Sequence, residues 1–368
     1  MKIIFGHWLS MVALGFGGEF APAAGTVGSD AIAKEDPRFL QWANAAEIVR
    51  GPTDLSSPSS PMASYGTNSD AYEIADASED EPYPVVSLGD GGSATLSFTK
   101  PIMDVPGPDF AVFENGFSDT FLELGHVEVS SDGVNFFRFP SISRTQTLVQ
   151  IGSFGLLDPT DLHNLAGKYR AGYGTPFDLE ELGKAYPELD TQRVTHVRII
   201  DVVGSIEAVY GTRDGLGNLI NERFTTDFFS GGFDLDAVGT LSQLPSGFTE
   251  WVASMGRSDP SPLADFSGKG VPQLVEYFSG GSDIVMDLTG EVTVVEFDWL
   301  SYRNDGNFWI EGSGDLNTWH VLAESDGEGV MTVVDEEVTM VVTGSGKKHV
   351  TISLPVGSDY RFFRLGAQ

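Results

Sequence analysis

The sequence predicts an all-β protein: a jelly-roll-like β-sandwich carrying one short helical excursion, followed by a smaller β-rich C-terminal module. Three observations predict it. Gly (44) and Pro (19) are abundant, which suits many short strands joined by turns. Hydrophobic residues make up 41% of the chain and include 25 Phe, enough for a substantial core. Apolar and polar residues alternate repeatedly from Val85 onward, whereas helix signals gather in one stretch.

Residues 1–24 read as a signal peptide. Lys2 supplies the basic start, Ile3 to Phe16 is mostly apolar, and Ala21-Pro22-Ala23 is a small-x-small cleavage site. Export is therefore expected, to the periplasm, the cell surface or the medium. No other stretch approaches the ~20 apolar residues of a membrane span, so direct membrane insertion is not expected. Residues 25–245 then read as the sandwich. Its first part, 25–85, is weakly patterned, with Gly51-Pro52 and a Ser/Pro-rich run from Ser56 to Ser64, and reads as long loops wrapped on a core.

Strand signals follow at Ser93 to Phe98, Phe110 to Phe113, Val194 to Val203 and Phe233 to Leu241. Val127 to Val129 and Phe136 to Phe139 flank Asp132-Gly133, a hairpin turn signal because Gly tolerates positive φ. The excursion spans 158–187. Asp158-Pro159-Thr160-Asp161 and Thr175-Pro176-Phe177-Asp178 each place a cap, a Pro and an acid as a helix start requires. A boundary falls near 242–250, and residues 246–368 form the second module. There Pro272 to Phe278 reads as a short helix stopped by Gly280-Gly281, while Glu291 to Trp299, Thr332 to Val342 and His349 to Leu354 read as strands. Val127-Glu128…Asp132…Phe136 and Ile310-Glu311…Asp315…Trp319 share one spacing, which predicts two similar hairpins each ending on an inward aromatic.

Charge narrows the partners. The 53 acids against 21 bases give a formal net charge of -32, which repels nucleic acid and anionic lipid. Calcium is the expected cofactor, because hard oxygen ligands suit it. Cys is absent, which excludes disulfides, thiolate metal sites and Cys nucleophiles.

Six segments in order carry a resemblance: Leu88-Gly89-Asp90-Gly91-Gly92, Asp109 to Gly116 (DFAVFENG), Val127 to Phe139, His163 to Tyr169 (HNLAGKY), Val197 to Asp201 (VRIID) and Phe233 to Gly239 (FDLDAVG). Together they resemble a family of bacterial proteins labelled "cell surface protein", over roughly residues 45–240. The resemblance implies a jelly-roll-like sandwich and attaches no firm activity; some relatives accompany cobalamin uptake systems. The C-terminal part, through Leu274-Val275-Glu276-Tyr277, Asp315 to Trp319 and Tyr360 to Leu365, resembles the tail module of secreted proteins from the Verrucomicrobia and Planctomycetes group. Those relatives carry an Asp-rich calcium-type run before the Leu-x-Glu-Tyr piece. Here it reads Asp265-Phe266-Ser267-Gly268-Lys269-Gly270, with one carboxylate and an intruding Lys, so no metal site carries over.

Two groups of residues could carry chemistry. Asp104, Asp109 and Glu114 flank a strand in a Pro/Gly-rich segment, and Asp234 and Asp236 lead the closing strand; first and last strands of a jelly roll pair, so these five are the candidate calcium ligands. His163, Lys168, Tyr169, Arg170 and Tyr173 gather bases and aromatics in an acidic chain, and are the candidate ligand-binding set for an anionic or stacking molecule such as a sugar acid. Catalytic patterns are unspecific: His163 with Tyr169 or Tyr173 for a polysaccharide lyase, or Glu114, Glu123 and Glu128 for a glycosidase pair. No Gly-x-Ser-x-Gly elbow, His-Glu-x-x-His or phosphate-cradling loop occurs. Trp251, Trp299, Trp309 and Trp319 read as core or as a sugar-stacking platform. The expected function is a non-catalytic, calcium-stabilised secreted or surface protein that binds a glycan or other extracellular small molecule, with a surface protein partner as one means of retention. A polysaccharide-degrading enzyme and a cobalamin-capturing protein for an outer-membrane transporter are the alternatives.

Overall fold

The computed structural model describes residues 20–78, 80–287, 292–344, 346–355 and 357–368. Most of the signal-peptide segment, residues 1–19, lies outside them. Among the described residues no helix is long and apolar enough to cross a membrane.

The chain is built from antiparallel strands with few helices. Up to residue 240 the strands are β1 (Ile32–Ala33), β2 (Gln41–Trp42), β3 (Ala45–Val49), β4 (Val86–Ser87), β5 (Ser93–Ile102), β6 (Phe110–Glu114), β7 (Gly125–Ser130), β8 (Phe137–Arg138), β9 (Ile142–Ser143), β10 (Leu162–His163), β11 (Tyr173–Phe177), β12 (Val194–Asp201) and β13 (Asp234–Thr240). One sheet runs β1-β11-β6-β13-β2, with β4 also on β13; the second runs β3-β5-β12-β7-β8; β9 and β10 form a small ribbon. Val86, Leu96, Val112, Val127, Val197, Ile199 and Leu235 are buried in the main core. Phe177 stacks on Phe110 at 5.3 Å between ring centroids and meets Phe139 edge-on at 5.0 Å, a geometry aromatic quadrupoles favour.

β6, β7 and β13 are buried along their whole length, because both faces are covered. Phe39 and Trp42 cover the outer side of the first sheet at Phe113, and the excursion supplies Leu162 and Leu165 to a satellite cluster with Leu122, Leu124, Leu157 and Ile220. The weakly patterned region 25–85 is thus more than loop: it contributes short strands to both sheets. The excursion differs too. Pro159–Asp161 is a single 3-10 turn, with Asp158 accepting from Thr160 N at 2.9 Å. Thr175-Pro176-Phe177 starts no helix but belongs to β11; Leu179 is the N-cap of α1 (Glu180–Gly183), and just before it Asp178 Oδ1 accepts from Glu180 N at 2.9 Å. β1 pairs only with residues 173 and 174, so Pro176 sits where β11 is an edge and its missing N–H costs no ladder bond.

Beyond residue 241 come α2 (Phe248–Ser254), α3 (Gln273–Ser279) and strands β14 (Val285–Asp287), β15 (Thr293–Leu300), β16 (Phe308–Ser313), β17 (His320–Ser325), β18 (Met331–Val333), β19 (Thr339–Gly344), β20 (Lys347–Leu354) and β21 (Phe362–Ala367). They make two four-stranded sheets, β14-β15-β20-β19 and β18-β17-β16-β21, around a second core that includes Trp251, Tyr277, Phe297, Trp299 and Phe308. α3 ends on Gly280 at φ 65°, the left-handed position a helix stop needs. Arg303 joins the two parts. It is buried over the Tyr277 ring, donates to Tyr277 O, and reaches Gln192 Oε1 at 3.2 Å across the junction.

The two echoed hairpins share a turn. Asp132 Oδ1 accepts from Val134 and Asn135 N at 2.8 Å, and Asp315 Oδ1 accepts from Asn317 and Thr318 N at 2.8 Å. Their aromatics do not point inward. Phe136 and Trp319 stay half-buried, each roofed by an arginine: Arg198 at 3.7 Å and Arg364 at 4.1 Å from the ring centroids. Trp251 and Trp299 are core residues while Trp309 and Trp319 are half-buried.

Candidate functional site

Strand register assembles the first group of carboxylates. Phe177 lies opposite Phe110, so the residues beyond each strand end, Asp178 and Asp109, come together. Asp109 N donates to Phe177 O at 2.8 Å, and Asp109 Oδ2 accepts from Leu179 N at 2.9 Å. The seven-residue loop before β6, residues 103–109, folds back so that Asp109 Oδ1 accepts from Val105 N at 3.0 Å, which delivers Asp104 to the same place. Oxygens of Asp104, Asp109 and Asp178 all lie within 4.8 Å of one another. Asp109 is fully buried and the other two half-buried. Burial pushes the Asp109 carboxyl up to about 8, with the charges of Asp104 and Asp178 adding to the rise, and that of Asp104 to about 6, with Asp178 and Glu180 adding; Asp178 is raised by burial and by the Glu180 charge. Three such oxygens favour a proton or a hard cation between them.

Beside this triad opens a cleft of about 450 Å³. Asp178 belongs to both. The cleft's other polar walls include Asp30, Arg38, His163, Asn164, Lys168 and Glu181. His163 stacks on Phe20 at 5.0 Å. Lys168 is 3% exposed, and desolvation lowers its pKa while Asp30 opposes the fall. Asn164 takes a left-handed φ of 48° and donates to Glu181 Oε2 at 2.6 Å. Interleaved donors and acceptors on a concave wall suit a polyhydroxylated ligand, and Lys168 and Arg38 would meet an acidic group on it.

Only part of each expected set converges. His163 and Lys168 line the cleft. Tyr169 lies behind it, its hydroxyl hydrogen-bonded to Asp30, and its pKa is raised by burial and by that carboxylate. Arg170 and Tyr173 form their own stack, 4.6 Å from guanidinium to ring centroid, with Arg170 tied to Asp119 at 2.6 Å and to Ala24 O at 3.1 Å. Of the five metal candidates, Asp104 and Asp109 share a site, joined by Asp178. Glu114 and Asp234 lie at the end of the β6–β13 pair, where Asp234 accepts from Ser87 Oγ and from Asn115 Nδ2 at 3.4 Å. Asp236 stands apart, buried, with Oδ1 accepting from Asp76 N at 3.2 Å. Glu114, Glu123 and Glu128, the glycosidase candidates, are all buried, and Glu128 is paired with both Arg138 and Arg198. Asp30, Arg38, Asp178 and Glu181 were missed, and composition alone could not have singled them out.

No protein-family model and no curated protein matches the chain. One solved structure, titled "Structure of allantoicase", overlays with a TM-score of 0.20 at 10% identity, covering 90% of this chain and 92% of that one. A likeness at that level carries no argument about fold or function.

Proposed function

We propose that this chain is a non-catalytic binding protein of the cell exterior, stabilised by calcium at Asp104, Asp109 and Asp178, and that it holds a glycan or similar polyhydroxylated ligand in the adjoining cleft. The observation that supports this best is Asp178, which is shared by the carboxylate triad and the cleft wall. An ion at the triad would hold β6, β11 and the loop between β5 and β6 in one geometry, and so fix the cleft. It would also remove the repulsion that raises the triad's pKa values.

The test is a thermal melt after chelation, with calcium or magnesium then titrated back. A ligand bound only by the native state adds about 2.7 kcal/mol at a hundredfold excess over its dissociation constant. Calcium is expected to raise the melting temperature saturably and magnesium far less, since magnesium demands tighter octahedral geometry. Asp109→Asn is expected to remove most of that rise. A calcium response equal to magnesium's, or one untouched by Asp109→Asn, would sink the reading. Ligand binding is followed by titrating a uronate oligosaccharide: affinity is expected to fall on chelation and about tenfold or more in Lys168→Met, the loss of one charge-assisted hydrogen bond.

A further inference from the structure

The C-terminal module has an outer face that the triad and cleft do not touch. In the sheet β18-β17-β16-β21, Phe308 and Ile310 of β16 and Leu365 of β21 turn into the second core. Side chains alternate along a strand, so Trp309, Glu311, Arg364 and Gly366 lie on the opposite side. Register sets Trp309 across from Gly366 and Glu311 across from Arg364. Glu324 of β17 and Thr332 of β18, both exposed, extend the row beyond Trp309.

Trp309 lies flat on this face. A Cβ added to Gly366 would stand 2.4, 2.5 and 2.7 Å from indole Cε2, Nε1 and Cζ2, three consecutive ring atoms at nearly equal distance, so the ring meets Gly366 with its face and not its edge. The other face of the indole is turned away from the sheet, and the residue is half-buried. Its Nε1 donates to no group among the described residues. Arg364 is held two positions along. Its guanidinium stands 4.1 Å over the Trp319 ring, whose own Nε1 is tied to Leu316 O at 3.2 Å. Arg364 Nε donates to Glu311 Oε2 at 2.7 Å, while its two Nη groups have no acceptor among the described residues. The arginine is thus fixed in place but half of its side chain, 52%, is exposed.

The negative face of an indole attracts positively polarised C–H groups, which a pyranose ring with equatorial hydroxyls presents along its axial direction. The hydroxyls at the rim of such a ring need partners beside the stack. Trp309 Nε1 and the Arg364 fork supply donors, and the carboxylates of Glu311 and Glu324 supply acceptors. Charge narrows the class. The face carries two carboxylates against one guanidinium, which disfavours an acidic glycan, and a second copy of the chain would bring another formal charge of -32. We infer that this face is a second, surface glycan site for a neutral polysaccharide of β-linked, glucose-type rings. Trp309 is its stacking platform, and Arg364, held by Trp319 and Glu311, is the fork that meets the hydroxyls. Glycine at 366 is what lets the indole lie flat. The site depends neither on the cleft nor on an ion.

The experiment is calorimetric titration of the chain with a hexamer of β-1,4-linked glucose, with tryptophan fluorescence in parallel and each variant's fold checked by circular dichroism. Saturable binding by the unaltered chain is expected, unchanged in chelator and in Lys168→Met. Trp309→Ala is expected to weaken it about tenfold or more and Arg364→Met about fivefold, losses typical of an aromatic anchor and of a charge-assisted hydrogen bond. Gly366→Ala, which keeps Trp309 but displaces its ring, is expected to weaken it as well. Binding that survives in both Trp309→Ala and Gly366→Ala overturns the inference, and so does the absence of binding at millimolar hexamer. Loss in Lys168→Met with Trp309→Ala unaffected assigns the hexamer to the cleft, which overturns the surface site and leaves the proposed function standing. A dimer that dissociates in Trp309→Ala, followed by sedimentation, makes the face a contact between copies and also overturns it. Hexamer binding that needs Trp309, in a chain that fails to bind the uronate oligosaccharide, removes the cleft reading and supports the platform.

Discussion

Replacing Arg223 with methionine is expected to destabilise the chain by about 3–5 kcal/mol at pH 8, the usual consequence of stripping one partner from a buried ion pair. Arg223 and Glu123 are each under a tenth exposed, and their 2.6 Å contact is the strongest local answer to the Glu123 charge. Burial pushes the Glu123 carboxyl upward and Arg223 pulls it down. Without the guanidinium, the carboxyl either stays charged and unpaired or takes up a proton at a free-energy cost that grows with pH. The substitution also uncovers Ser153 O, which accepts from Arg223 Nε at 3.1 Å, and the Phe121 ring beneath the guanidinium. For a domain of 150–250 residues the loss translates to a fall of roughly 10 °C in melting temperature. The control is the double variant Arg223→Met with Glu123→Gln. Removing both charges should recover most of the loss, because the penalty comes from the stranded carboxylate rather than from a missing attraction. A single-variant loss below about 1 kcal/mol, or a double variant no better than the single, would show that solvent or another cation already serves Glu123.

How much of this was legible depends on which force wrote each element. β6 and the β7–β8 hairpin were legible because each rests on local chemistry: a continuous apolar run covered on both faces, or an Asp-Gly turn with its own side-chain bonds. β1 and β2 were not, since two-residue strands are too short to show a period. β11 was misread as a helix start because Thr-Pro-Phe-Asp satisfies the capping pattern; the pairing with β6, a long-range contact, overrides it. The triad shows the same limit. Asp104 and Asp109 are neighbours in the chain and were found, whereas Asp178 arrives only through the Phe177–Phe110 register. Their place at the head of the closing strand put Asp234 and Asp236 among the metal candidates, yet the strand register shifts between Leu235 and Ala237, and the two carboxylates serve different surroundings.

The chelated chain should be most stable in mild acid and lose stability as pH rises from 5 to 8. The direction follows from the buried carboxyls outside any ion pair. Desolvation raises Asp236 to about 7 and Asp90 to about 6, while Asp109 reaches about 8. Each folded-state pKa lies above that of an unfolded aspartate, near 4, so the native state binds protons that the unfolded state releases. The stabilising contribution is fully present below the unfolded value and is lost as pH climbs through the folded one. One proton retained by the native state is worth about 1.4 kcal/mol per pH unit, so Asp109 and Asp236 together account for a loss on the order of 5 kcal/mol between pH 5 and 8. Melts at fixed ionic strength in chelator should therefore fall by roughly 10 °C or more across that interval. Saturating calcium is expected to flatten the part of the slope that belongs to Asp109, because the ion replaces its proton, and to leave the part that belongs to Asp236, which lies outside the triad and whose buried Oδ2 has no hydrogen-bond partner. Asp236→Asn removes that remainder. A chelated chain whose stability is flat or rises toward pH 8 would mean that these carboxyls are ionised in the folded state, with positive charge reaching them from a source other than calcium.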